Sequence, residues 1–354
     1  MPAGTPARSG FGLRTVPVLF GVAPTSILVG EKNMLALPRL RDWGLLLICN
    51  LTWASQFVMV KLVQQQMGPV FATFFPMALA TLLLIPIVGR EKRLSSSAGR
   101  SVRLPPRDIS EFILIGVLGQ VVAQLFVTWG VRLSLASNAA LLMLALPVST
   151  AVMAFFFLGE RMTPVRWLSF ALALAGVLEC SGIEWKELNL TSSKFLLGNL
   201  MIFFSVNGSA FYNAYSKKLL SRYSPLQVLL YSYYAVFGFL LPITLYTEPQ
   251  GFRDLPHFNA VVWAGLILLA LFQYFLSMVI FLNVLTRLDA TQAALSNYLI
   301  PFFGVVIAAI VLQERLTKFM VAGGVLVLAS TLLVTVYEER QRARADSNVV
   351  PTRS

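Results

Sequence analysis

Residues 138–161 read NAALLMLALPVSTAVMAFFFLGER, and residues 292–315 read QAALSNYLIPFFGVVIAAIVLQER. Laying Glu160-Arg161 on Glu314-Arg315, 154 residues later, also lays Ala139-Ala140-Leu141 on Ala293-Ala294-Leu295 and Pro147 on Pro301. Each stretch is an apolar run of about the 20 residues a bilayer core requires. An amide side chain opens it and an acid-base pair closes it. A proline inside such a run removes a backbone donor and bends the axis, so it is tolerated where neighbours or a cavity satisfy the freed carbonyl. Pro147 and Pro301 are therefore expected to bend their helices towards a shared cavity, and Asn297 is expected to own the carbonyl that Pro301 frees. The chain reads as a duplicated membrane protein.

Composition leads to the same class. Hydrophobic residues make up 57 % of the 354 residues and charged ones 12 %, about half the roughly 25 % of soluble proteins. Cys49 and Cys180 lie in or beside apolar runs and His257 is the only histidine. These residues offer neither a disulfide framework nor a metal-ligand spacing, so no metal and no cofactor are expected. The net charge of +12 would suit nucleic acid, but its distribution along the chain argues for membrane orientation instead.

The expected fold is all-α and integral to the membrane: ten transmembrane helices, as two inverted-topology five-helix repeats around a central polar cavity. Residues 1–41 read as a disordered tail or an extension ahead of Met34, with a cleaved targeting segment as the alternative. Residues 42–183 form the first repeat, 184–194 a linker, 195–337 the second repeat and 338–354 a charged tail without regular structure. At an offset of 156, Lys61 meets Lys217, Pro69 meets Pro225 and Pro86 meets Pro242. Five spans is an odd number, so the second copy crosses in the opposite sense, as in many secondary transporters. With both termini on one side, that side carries 21 of the 28 Lys and Arg and the other carries 7. The positive-inside bias makes both termini cytoplasmic. The basic loop after Val88, from Arg90 to Arg107, is expected to be flexible and to lie on the same side.

Charged residues are nearly absent from span interiors. Glu160-Arg161 and Glu314-Arg315 sit at span ends, where they read either as ion pairs that anchor a short turn or as gate elements. Lys61 and Lys217 are expected to snorkel to the interface. What remains inside is polar, uncharged and partly aromatic. Asn50, Trp53 and Phe57 share a face of span one, with Gln56 beside them. Span three offers Gln120, Gln124 and Thr128, and span six offers Ser205, Ser209, Tyr212, Asn213 and Ser216. Span eight adds Gln273, Tyr274 and Asn283, and spans four and nine add Asn138, Gln292, Ser296, Asn297 and Tyr298. Any one of these amides could be ordinary interhelical glue. As a set they recur on spans one, three, four, six, eight and nine, whereas spans five and ten carry small residues suited to close packing. That partition predicts a polar cavity lined by the first group.

Two five-span repeats, each with a final hairpin marked by G-E-R at 159–161 or Q-E-R at 313–315, resemble the EamA-type transporters of the drug/metabolite transporter superfamily. The resemblance covers about residues 43–336. It implies ten helices around a central cavity, the fifth and tenth at the periphery, and transport of amino acids, sugars, nucleotide precursors or other metabolites, often outward. Phosphate-exchanging relatives use basic residues inside the cavity, and small multidrug pumps use a glutamate in the first helix. Neither feature is found in the corresponding spans here.

The resulting expectation is a secondary transporter, not an enzyme. It moves a small polar, neutral or zwitterionic, amino-acid-like metabolite outward by alternating access, in a bacterial inner membrane. Its partners are the solute and the bilayer, with a proton or counter-solute left open and no nucleic acid. The alternatives are a membrane-embedded enzyme, which would need clustered acids, His or Cys near an interface, and a non-transporting scaffold or receptor.

Overall fold

The computed structural model describes residues 36–97, 104–146, 148–150, 152–153, 163–180, 194–287, 297 and 299–349. It divides into two compact units, residues 1–40 and 41–354; the second is described below. Pro147, Glu160, Arg161, Gln292, Ser296 and Tyr298 lie outside the described residues, as do most of the linker and the first tail.

Every regular element among the described residues is helical. We number them α1 (Ala36–Val63) and α2 (Pro69–Ser97), α3 (Pro106–Leu133) and α4 (Ala136–Ala145), α5 (Pro164–Cys180) and α6 (Lys194–Leu220), α7 (Pro225–Thr247), α8 (Ala260–Leu285), α9 (Leu299–Val311) and α10 (Lys318–Val349). Six of them are long and apolar enough to cross a membrane: α1, α2, α3, α6, α7 and α8. Shorter apolar helices cover Ala136–Ala145, Trp167–Gly176, Leu299–Val311 and Lys318–Ser330. A short helical turn, Gln250–Asp254, precedes α8.

Three stretches differ from expectation. Helix α1 begins at Ala36, inside the segment read as a disordered first tail. Helix α2 continues through Arg90, Lys92 and Arg93 to Ser97, into the segment read as a flexible basic loop. Helix α10 runs on to Val349, into the segment read as a tail. The extension of α2 opens with Arg90, Glu91, Lys92, Arg93 and Leu94, and that of α10 carries Glu, Gln, Arg and Ala from Glu338 to Ala345, residues that lose little side-chain freedom in a helix.

The helices pair chiefly as α5 with α10, α3 with α6, α2 with α7 and α4 with α9, while α1 meets α8 through Cys49, Thr52 and Gln56. Close approach needs small residues. A Cβ on Gly130 of α3 would lie 2.6 Å from Ile202 Cγ1 and 2.7 Å from the Gly198 carbonyl oxygen of α6. A Cβ on Gly176 of α5 would lie 2.7 Å from the Gly323 carbonyl oxygen of α10. The small residues of spans five and ten thus pack against each other.

Candidate functional site

Helices α3 and α8 are each interrupted by a π-helical segment, Ile115–Val121 and Leu269–Leu276, whose starts lie 154 residues apart. A π turn widens the helix and turns its side chains, and it is frequent at functional sites. These segments carry Gln120 and Gln273, both buried, and both line one central cavity of about 70 Å³. That is several times the 10–15 Å³ one water needs.

The cavity is built from six helices. Trp53, Gln56 and Phe57 come from α1, and Gln120, Ala123, Gln124 and Val127 from α3. Met143 and Leu146 come from the α4 stretch, and Ser205, Ser209, Tyr212 and Asn213 from α6. Gln273 and Met278 of α8 and Ile300 of α9 close it. The helical spacings 120, 124, 127 and 205, 209, 212 put each group on one face. No Asp, Glu, Lys, Arg or His is among these residues, and no group of three or more potential metal ligands occurs among the described residues.

Three glutamines form an oriented chain across this wall. Gln273 Nε2 donates to Gln56 Oε1 at 2.7 Å, and Gln56 Nε2 donates to Gln124 Oε1 at 2.8 Å. Gln56 Nε2 also approaches the Tyr274 hydroxyl at 3.4 Å. Each bond fixes which way the next amide faces, since an amide has one accepting and one donating end. The chain ends at Gln273 Oε1, buried and without a partner.

Of the residues expected in the site, Trp53, Gln56, Gln120, Gln124, Ser209, Tyr212 and Asn213 meet in the cavity. The others described stand elsewhere. Asn50 and Asn283 donate to carbonyls one turn back in their own helices, at Leu46 and Val279. Asn138 joins a buried cluster with Ser134 and Asn199. Tyr274 backs Gln56 from behind, and its carbonyl accepts from the Tyr233 hydroxyl at 2.6 Å. Asn297 is buried with both amide atoms unpartnered. Its carbonyl, expected to be free, accepts from the Ile300 N–H at 3.0 Å. Pro301 lies in the first turn of α9, where its missing N–H removes no bond the helix needs. Ser205 and Gln273, expected on the same helix faces, line the cavity too, whereas nothing in the sequence singled out the apolar wall of Met143, Leu146, Met278 and Ile300.

The two ends of the bundle are tied differently. Near the start of α3, the Arg222 guanidinium bridges the carboxylates of Asp108 and Glu111, Lys218 pairs with Glu111 at 3.2 Å, and the Tyr223 hydroxyl donates to Asp108. Burial first, and the Asp108 carboxylate next, push the Tyr223 phenol up to about 12. Arg287 pairs with Asp42 at 2.8 Å. At the other end of α3, Lys61 is half-buried, and its Nζ donates to the carbonyls of Val131 and Ser134 at 2.8 and 2.7 Å. Gln313 closes α9 at φ 56°, a left-handed helix end, and Glu314 follows it. The Glu314 carboxylate accepts from the N–H groups of Ala136 and Ser137 and from the Ser137 hydroxyl, so it caps α4 instead of closing an ion pair with Arg315. Glu248 caps α2 in the same way through Val70 and Phe71.

A cavity walled by polar and apolar side chains, with no charged one among its described residues, inside a bundle of apolar helices is what a membrane solute transporter needs. The EamA-like transporter family matches residues 43–180 and again residues 196–336, and the chain belongs to that family. A relative from Streptantibioticus cattleyicolor, named "Probable terminal-alkyne amino-acid exporter", is 28 % identical over 82 % of this chain and 92 % of its own. An uncharacterized transporter of Archaeoglobus fulgidus is 25 % identical over 84 % and 98 %. The S-adenosylmethionine uptake transporter of Rickettsia felis is 22 % identical over 61 % and 69 %. One solved crystal structure is similar in fold, with a TM-score of 0.56 at 14 % identity, covering 85 % of this chain and 98 % of that one.

Proposed function

We propose that this protein is a secondary carrier for a small polar solute without net charge, amino-acid-like, moved outward by alternating access of two inverted five-helix repeats. The observation that carries the reading is the cavity wall of amides, hydroxyls, aromatics and aliphatic side chains, with no charged side chain among its described residues. Such a wall can hydrogen-bond a neutral or zwitterionic solute while its rings and methionines cover the apolar part. A net charge held there would have no counter-ion, which is costly.

The two-repeat reading is supported by the double family match, by the paired π segments and by the helix pairing. A twofold relation between the halves would bring together α2 with α7, α4 with α9 and α5 with α10, and would exchange α1–α8 with α3–α6. The outward direction is supported by the name of the Streptantibioticus relative, whereas the Rickettsia relative is named for uptake. The positive-inside charge split supports cytoplasmic termini in a bacterial inner membrane.

The test is flux in liposomes of one orientation, with neutral, acidic and basic amino acids offered from either side, with and without a pH gradient. The reading requires faster movement of the neutral set. Movement of charged solutes alone, or of none, would overturn it.

A further inference from the structure

A second space adjoins the central cavity. It is a crevice of about 150 Å³ between α1 and α8, lined by Thr52, Ser55, Gln56, Met59, Leu268, Leu269, Phe272 and Gln273. Only Gln56 and Gln273 are common to both linings, and these two side chains are hydrogen-bonded to each other. The amide pair is therefore the partition between the two spaces.

The chemistry of the crevice differs from that of the cavity. Its two hydroxyls are already engaged: Ser55 Oγ donates to the Thr52 carbonyl at 2.7 Å, and Thr52 Oγ1 donates to that of Cys49 at 2.8 Å and also meets the Ser277 hydroxyl of α8. What is left to meet a ligand is Met59, Leu268, Leu269 and Phe272, a flexible apolar wall. The partition offers one unused group, Gln273 Oε1, which is buried and unpartnered on a residue 5 % exposed. Leaving such an acceptor empty is costly, so a donor on a solute in the cavity gains by reaching it.

We propose that the crevice is a subsite for the unbranched aliphatic tail of the solute whose polar head occupies the central cavity. A donor on the head, such as an ammonium N–H, bonds Gln273 Oε1 and draws that amide away from Gln56, which joins the two spaces and admits the tail. This subsite rests on the carrier reading above, and it narrows the solute class to amphipathic molecules with a straight apolar chain.

The experiment is equilibrium binding of a homologous series to the purified full-length protein: alanine, norvaline, norleucine and 2-aminoheptanoate. Two variants, Leu268→Trp and Met59→Trp, fill the crevice from different walls. In the unmodified protein affinity should rise about fourfold per methylene once the chain passes the amide pair. In a variant that still binds alanine the rise should vanish. A flat series in the unmodified protein overturns the subsite and leaves the carrier reading standing. A rise that persists in both variants also overturns it, because the tail then lies elsewhere. No binding of any homologue, alanine included, overturns the carrier reading and the subsite with it.

Discussion

Glu314 reaches back 177 residues to Ser137, accepting from its backbone N–H at 2.9 Å and from its hydroxyl at 2.6 Å. Glu248 holds Phe71 across the same 177 residues, at 2.8 Å. In both cases an acid just past a helix of the second half caps a helix of the first. Free N–H groups at a helix start are unsatisfied donors with a partial positive charge, so a carboxylate is their natural partner.

Glu314→Gln keeps an acceptor but loses the charge, and should destabilise the protein by about 1 kcal/mol, the scale of a lost cap. Solute binding should be unchanged, because Glu314 is outside the cavity. Thermal unfolding beside equilibrium binding checks this. Abolished binding in a folded variant would give Glu314 a direct part in transport.

Gln56→Leu should lower both stability and binding. It strips the partner from Gln273 Nε2 and from Gln124 Oε1, each a cost of about 1–3 kcal/mol if left unmet. Solute affinity should fall at least tenfold, with a smaller loss from Asn283→Leu, whose amide donates to the Val279 carbonyl of its own helix. Side-by-side binding isotherms distinguish the two.

Tyr223 gives a pH signature. Its folded value of about 12 lies above the ordinary 10.0, so between those values the folded protein keeps a proton the unfolded chain has released. The contribution is complete below pH 10 and is lost as pH rises towards 12. Tyr223→Phe should unfold more easily at neutral pH, having lost the bond to Asp108, yet decline less steeply between pH 10 and 12. Parallel slopes in thermal scans would remove Tyr223 from the account.

Glycines separate packing from propensity. Gly130→Ala puts a Cβ against Ile202 and Gly198, whereas Gly238→Ala meets nothing within 4 Å. The first should cost about 1–3 kcal/mol by overpacking, and the second should be neutral or slightly stabilising. Equal effects would mean that the α3–α6 contact can relax.

Much of the cavity was legible because a helix repeats its faces. Trp53, Gln120, Gln124, Ser209 and Tyr212 stood out as polar or aromatic residues at helical spacing on apolar spans, and all line the cavity. Spacing cannot say which face points inwards, so Asn50, Asn138 and Asn283 looked equally suitable and proved to bond elsewhere. The glutamine chain was hidden because its partners lie 68 and 217 residues apart. Glu314 was misread because Arg315 is adjacent in sequence, while its true partners are 177 and 178 residues away. The π segments left no mark, since Ile115–Val121 and Leu269–Leu276 are as apolar as the helices around them.

The capping by Glu248 and Glu314 bears on ancestry and engineering. Both acids belong to the second half of the chain and both capped helices to the first. At the repeat position of Glu248, 156 residues earlier, the first half carries Lys92, so a pair of identical first halves would lack this cap, and a pair of identical second halves would lack the start of α2 that receives it. The two halves have become complementary pieces, so co-expressing residues 36–180 with 194–349 as separate polypeptides should favour the mixed pair over either self-pair.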